Sequence, residues 1–179
     1  MTPDKIQQVI IQVEEILPKI ESKISNINEG GCGVFAYLLW KRLKEIGIES
    51  VKAWPIIYNF TTPDEVNTAF LNIALGENPL YVSCNFSHII LEINSPESKL
   101  TYLIDSEGIE ETTSIYEGAE VEGHFLYGLN TEANIFGEPI EFELLEKLAL
   151  DERRGLWNTD FNRDDIPVIE KMINRIQPV

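Results

Sequence analysis

Gly30-Gly31-Cys32-Gly33-Val34-Phe35-Ala36 sets a cysteine among glycines at the point where a helical pattern begins. Phe35, Leu38, Leu39, Leu43 and Ile46 recur at helical spacing, which predicts a helix over about Cys32–Ile46 with Gly47 as its C-terminal cap. Glycines at 30, 31 and 33 permit close backbone approach and unusual dihedrals. The first amides of a helix have no partner within it and carry partial positive charge. A sulfur placed there is favoured as thiolate, and amides around it, with Gly31 and Gly33 as the candidate positions, can hold a developing oxyanion. Packing alone would make Cys32 a small buried hydrophobe, but packing does not call for glycines on both sides.

Working outward, two strand-like segments follow, His88-Ile89-Ile90-Leu91-Glu92-Ile93 and Leu100-Thr101-Tyr102-Leu103-Ile104-Asp105, around a turn-like Asn94–Lys99. With Ser95–Ser98 as a four-residue loop, Asn94 pairs with Lys99, and counting outward sets His88 directly opposite Asp105. Directly opposed residues share a face with Cβ atoms about 4.5–5.5 Å apart, close enough for a carboxylate to accept from an imidazole and fix its tautomer. Cys32, His88 and Asp105 then supply a nucleophile, a base and an orienting acid for acyl chemistry. Taken singly, His88 reads as a core histidine and Asp105 as a strand-end turn residue before Ser106-Glu107-Gly108; the register and the upstream cysteine favour the joint reading. Asn28, with Asn26 beside it, precedes Cys32 closely enough to donate to an oxyanion, although asparagine is also an ordinary loop residue. Cys84 reads as a packed thiol and His124 as structural.

The remainder of the chain reads as α+β. A helix is expected over 3–25, with Pro18 inside it, and a strand over 48–58, interrupted or edged by Pro55. Residues 61–79 are ambiguous; further strands are expected over 80–93 and 110–134. Pro139 opens a helix that Gly155 closes, and Asp165-Ile166-Pro167 opens a last one. Asp160, Asn162 and Asp164 alternate like calcium ligands, but Asp165 stands where the loop needs glycine and Lys171 where it needs an acid. This stretch therefore reads as a turn and helix cap, without metal. Trp157, Phe161 and Arg163 cluster nearby, to pack the last helix or to line a cleft. No repeat or linker divides the chain, so one domain over 1–179 is expected.

The chain of 179 residues is 44% hydrophobic, enough for a real core, and carries a net charge of -16. Such a charge opposes binding to nucleic acid or anionic membranes and favours solubility; the acyl chemistry of Cys32, His88 and Asp105, rather than the charge, makes a peptide or protein the expected substrate. Neither a leader segment nor an apolar run of spanning length is apparent, so a cytoplasmic location with reduced cysteines is expected, and a Cys32–Cys84 disulfide is not. The sequence sets no oligomeric state.

Gly31–Leu39 resembles the cysteine helix of the transglutaminase-like branch of the papain-fold cysteine enzymes, and Lys44–Ile48 the passage from that helix to the next strand. Ser87–Ile93 and Tyr102–Asp105 look like the strands that bear that group's histidine and aspartate. The resemblance covers about residues 26–108. It implies a central Cys-bearing helix on an antiparallel sheet, here with extra N- and C-terminal helices. It further implies a cysteine hydrolase or acyltransferase acting on an amide, isopeptide or ester bond, with no cofactor. Arylamine N-acetyltransferases give a similar impression, but the chain lacks their arginine before the glycines and any residue between Gly31 and Cys32, which argues against acetyl-CoA use. The glutamine and asparagine of papain-type peptidases are not matched. The alternative is a non-catalytic acidic binding or inhibitory module on the same fold, such as a virus-encoded blocker of a host factor.

Overall fold

The structure is a computed structural model and describes residues 4–24, 27, 30–58, 86–112, 120–121, 133–135, 139–150 and 161–179. Four helices, α1 (Lys5–Glu21), α2 (Cys32–Glu45), α3 (Phe142–Leu150) and α4 (Ile166–Ile173), accompany an antiparallel sheet. Its strands are β1 (Val51–Tyr58), β2 (Phe86–Ser95), β3 (Leu100–Ile104), β4 (Ile109–Thr112), β5 (Glu120–Val121) and β6 (Ala133–Ile135). The four strands β4-β3-β2-β1 make the main sheet, and the short β6 and β5 extend it beyond β1. The chain is thus α+β, with a helix at each side of the sequence as the periodicity predicts. The ambiguous stretch 61–79, Cys84, His124, Trp157 and Asp160 lie outside the described residues.

Local chemistry explains each element that positions the site. Asp4 opens α1 with a capping box: its Oδ1 accepts from the Gln7 amide at 2.7 Å, and Gln7 Oε1 accepts from the Asp4 amide. The helix then runs through Pro18 to Glu21, four residues short of the sequence expectation at its C-terminal end. The whole first half of α2 is buried, from Cys32 to Trp40. It ends where expected, because Gly47 adopts φ +81°, the Gly47 amide donates to Lys44 and the Ile48 amide to Leu43. That pair of bonds is a Schellman closure, which needs a left-handed residue after the cap.

Pro55 lies within β1 and pairs with Ile89, while the ladder to β6 begins only at Ile56. The missing proline N–H therefore does not interrupt that ladder. Between Ile56 and Ile57 the pairing with β2 slips, from His88 to Phe86, so Ser87 is an extra residue in β2. A bulge of this kind bends and twists its strand locally.

The β2–β3 register differs from the sequence expectation. The turn is Pro96–Lys99, and Ser95 pairs with Leu100, one residue later than the predicted loop. Lys99 takes a left-handed φ of 59°, a conformation not anticipated for lysine, and its amide donates to Ser95 O at 2.9 Å. Ser95 holds the turn with its hydroxyl as well: Oγ accepts from the amide and hydroxyl of Ser98 and donates to Asp4 Oδ2 at 2.6 Å. Counting from that closure, Asp105 falls beside Ile90, and His88 lies two residues beyond on the same face. A shift of one residue would have separated them; this offset, two residues at the histidine, does not.

The main core joins Val9, Val13, Leu17 and Ile20 of α1, Phe35, Leu39 and Leu43 of α2, and Ile89, Leu91, Ile93 and Ile104 of the sheet. α2 packs on β2 and β1 and against α3 and α4. Arg42 Nε and Nη2 both donate to Ile176 O, at 2.9 and 2.6 Å, and Lys41 pairs with Glu170 at 2.8 Å. Trp40 meets Phe142 edge-on with centroids 5.2 Å apart. The Cys-bearing helix is therefore held between the sheet and the C-terminal helices.

Asp4 joins the first helix to the hairpin turn, so Asp4→Ala removes a cap and an inter-element bond together. It is expected to lower the free energy of unfolding by about 1–2 kcal/mol, read from urea denaturation.

Candidate active site

Cys32, His88 and Asp105 come together. Their relative exposures are 2%, 0% and 1%, so the group is enclosed. Cys32 is the first residue of α2 and is a free thiol. His88 stands beside the β2 bulge and is the residue that meets Cys32: the thiol is a hydrogen-bond partner of its ring. Asp105 follows the last ladder residue of β3.

The carboxylate of Asp105 is fixed at both oxygens. Oδ1 accepts from the amides of Glu107 at 2.7 Å and Gly108 at 2.9 Å, while Oδ2 lies 2.7 Å from His88 Nε2. The Asp105 amide closes the same turn on Gly108 O at 3.1 Å. Asp105 is thus both the turn residue and the imidazole's partner, and the two readings of this residue hold together. The diagonal offset between His88 and Asp105 is longer than a directly opposed pair. It is met by the far ring nitrogen, Nε2, and the Cys32 thiol is a further hydrogen-bond partner of the ring.

This arrangement controls the charge on His88. Burial is the largest single influence and works against an imidazolium, but the hydrogen bonds to Asp105 and Cys32 and the charges of both partners together outweigh it. The pKa is pushed up to about 10. An imidazolium between a carboxylate and a sulfur is the state that can donate a proton to a departing group.

The glycines before the sulfur have two different reasons. Gly30 takes φ 112°, which side-chain-bearing residues rarely adopt. Gly31 has φ -90° and ψ -7°, open to any residue, but a Cβ there would lie 2.6 Å from Ile27 O and 2.8 Å from Phe161 Cδ2. Gly33 is buried in the first turn of α2. The amides of Cys32 and Gly33 belong to the set that has no acceptor within the helix. Asn26 and Asn28 lie outside the described residues.

One buried polar feature of β2 escaped the sequence reading. Glu92, 3% exposed, accepts from Trp54 Nε1 at 2.6 Å and from Asn94 Nδ2, and pairs with Lys52 at 3.7 Å. It lies on the same alternation of β2 as His88, and only the cross-strand register reveals its donors. Phe161, which the sequence reading set either to pack the last helix or to line a cleft, approaches the place of a Gly31 Cβ to 2.8 Å. Asn162 does cap a turn, as its Oδ1 accepts from the Asp164 amide at 3.1 Å, in keeping with a cap rather than a calcium loop. Among the described residues no group of three or more His, Cys, Asp or Glu side chains is placed to hold a metal ion, and no helix is long and apolar enough to cross a membrane.

In comparisons with protein-family models, curated proteins and solved structures, nothing matches this chain.

Because the folded-state pKa of His88 lies above its ordinary 6.5, its charge stabilises the fold fully below about pH 6.5. That contribution is expected to fade as pH rises through about 10, and urea unfolding at a series of pH values should show the slope in the parent chain and lose it in His88→Ala. Asp105→Ala strips the enclosed ring of its carboxylate and is expected to cost about 3–5 kcal/mol in the same assay at neutral pH.

Proposed function

We propose that this chain is a cysteine hydrolase or acyltransferase of the transglutaminase-like, papain-fold kind, acting on an amide, isopeptide or ester bond of a peptide or protein. The supporting observation is the pairing of the His88 ring with two partners, Asp105 at 2.7 Å from Nε2 and the Cys32 thiol.

In this mechanism the Cys32 sulfur attacks the substrate carbonyl and the carbonyl π electrons move onto oxygen. The amides at the start of α2 are the nearest donors for that oxyanion. As the tetrahedral centre collapses, the bond to the leaving group breaks and His88 supplies the proton it needs. A thioester on Cys32 remains. Water or an amine, deprotonated by His88, then attacks the thioester, and the sulfur leaves as thiolate. Asp105 keeps the ring oriented throughout and accepts the same Nε2–H in both half-reactions.

A second reading rests on the enclosure of the group. With Cys32 at 2% exposure and His88 at 0%, the three residues would serve as a buried polar brace in a binding or inhibitory module that acts through its acidic surface. Iodoacetamide separates the two. For an enzyme, Cys32 alkylates at neutral pH at least about tenfold faster than Cys84, since a thiolate competes with a thiol that is only a few per cent ionised. His88→Ala removes the difference. Equal rates in the folded parent chain, followed by mass spectrometry of the two peptides, would favour the binding module.

A further inference from the structure

The C-terminal segment places an aromatic ring against the turn that carries the nucleophile. Gly31 is the N-cap of α2 and the immediate neighbour of Cys32. Its backbone angles, φ -90° and ψ -7°, do not require glycine. The requirement is spatial: where its Cβ would stand, Phe161 Cδ2 approaches to 2.8 Å and Ile27 O to 2.6 Å. The side chain missing at position 31 is therefore the space that admits the Phe161 ring.

Phe161 is not a loose tail residue. Asn162 next to it caps the 3-10 turn Arg163–Asp165, and Arg163 Nη2 donates to Ala149 O at 3.2 Å, tying the segment to α3. The ring is only partly buried, whereas Cys32 beside it is enclosed. The ring packs against the core while staying only partly covered. A fixed, half-open aromatic surface next to a nucleophile is an apolar wall for whatever flanks the reacting carbonyl.

We propose that Phe161 is a specificity-determining residue that selects substrates carrying an apolar group on the acyl side of the bond Cys32 attacks. The inference rests on the acyl-transfer reading of Cys32 and assigns a recognition role to a region that the family resemblance does not reach. Contact of a flanking apolar group with the ring removes hydrocarbon from water as the tetrahedral centre forms, so it favours acylation by such substrates.

Two activated esters test it with the full chain, p-nitrophenyl acetate and p-nitrophenyl 3-phenylpropanoate. In each, the Cys32 sulfur forms a thioester and p-nitrophenolate leaves, so the burst of released phenolate reports acylation. The parent chain is expected to prefer the phenylpropanoate, and Phe161→Ala to reduce that preference about tenfold. Phe161→Leu keeps an apolar wall and is expected to retain most of the preference. Thermal unfolding of both variants checks that the fold persists, and if the alanine variant is unfolded the leucine variant is compared with Phe161→Gln instead. Parallel changes in both esters, or an unchanged ratio, would overturn the role of Phe161 while leaving the nucleophile intact. Failure of His88-dependent acylation by either ester would overturn the enzyme reading itself.

Discussion

An imidazole and a carboxylate enclosed together, 2.7 Å apart, are the constraint around which this molecule is organised. Neither group is comfortable away from water by itself, because an unpaired buried charge costs several kcal/mol. Each is acceptable because the other is present and because two backbone amides complete the carboxylate's contacts. The hairpin that carries both residues is consequently not free to choose its pairing. A slip by one residue would send His88 and Asp105 to opposite faces and leave one of them without its partner.

The turn that sets this pairing is made by side chains outside the site. Ser95 gathers Ser98, Lys99 and Asp4 around it, and Asp4 is at the same time the cap of α1. The desolvated Asp4 carboxylate is nonetheless held below the ordinary aspartate range, chiefly by the Ser95 hydroxyl and the Gln7 amide. The helical layer thus reaches the buried group by two routes: directly, where α2 begins at Cys32, and indirectly, where α1 pins the far end of the hairpin. Such double support fixes Cys32, His88 and Asp105 relative to one another from both ends of the hairpin.

Much of this was legible in the residues themselves. The glycines around Cys32, the Gly47 cap and the apolar spacing of α1, α2 and α4 are local signals, and local structure obeys them. The cohabitation of His88 and Asp105 on one face was legible because a face depends only on the parity of the register. The register itself was not, since it turns on a lysine in a left-handed conformation and on a hydroxyl contact to a residue 91 positions away. The donors of Glu92 were hidden for the same reason, lying across strands. The reason for Gly31 was legible only in part. The sequence said that close approach was needed there, but the approaching ring comes from the other end of the chain.

The clamp on α2 also bears on the order in which the molecule is completed. Arg42 takes its acceptor from Ile176, 134 residues downstream. At the pace of protein synthesis that interval is on the order of ten seconds. During it the nascent helix has neither that anchor nor the aromatic ring that fills the space beside Gly31. The Cys32 thiol is therefore synthesised early, and the contacts that enclose it are completed only when the C-terminal segment has emerged.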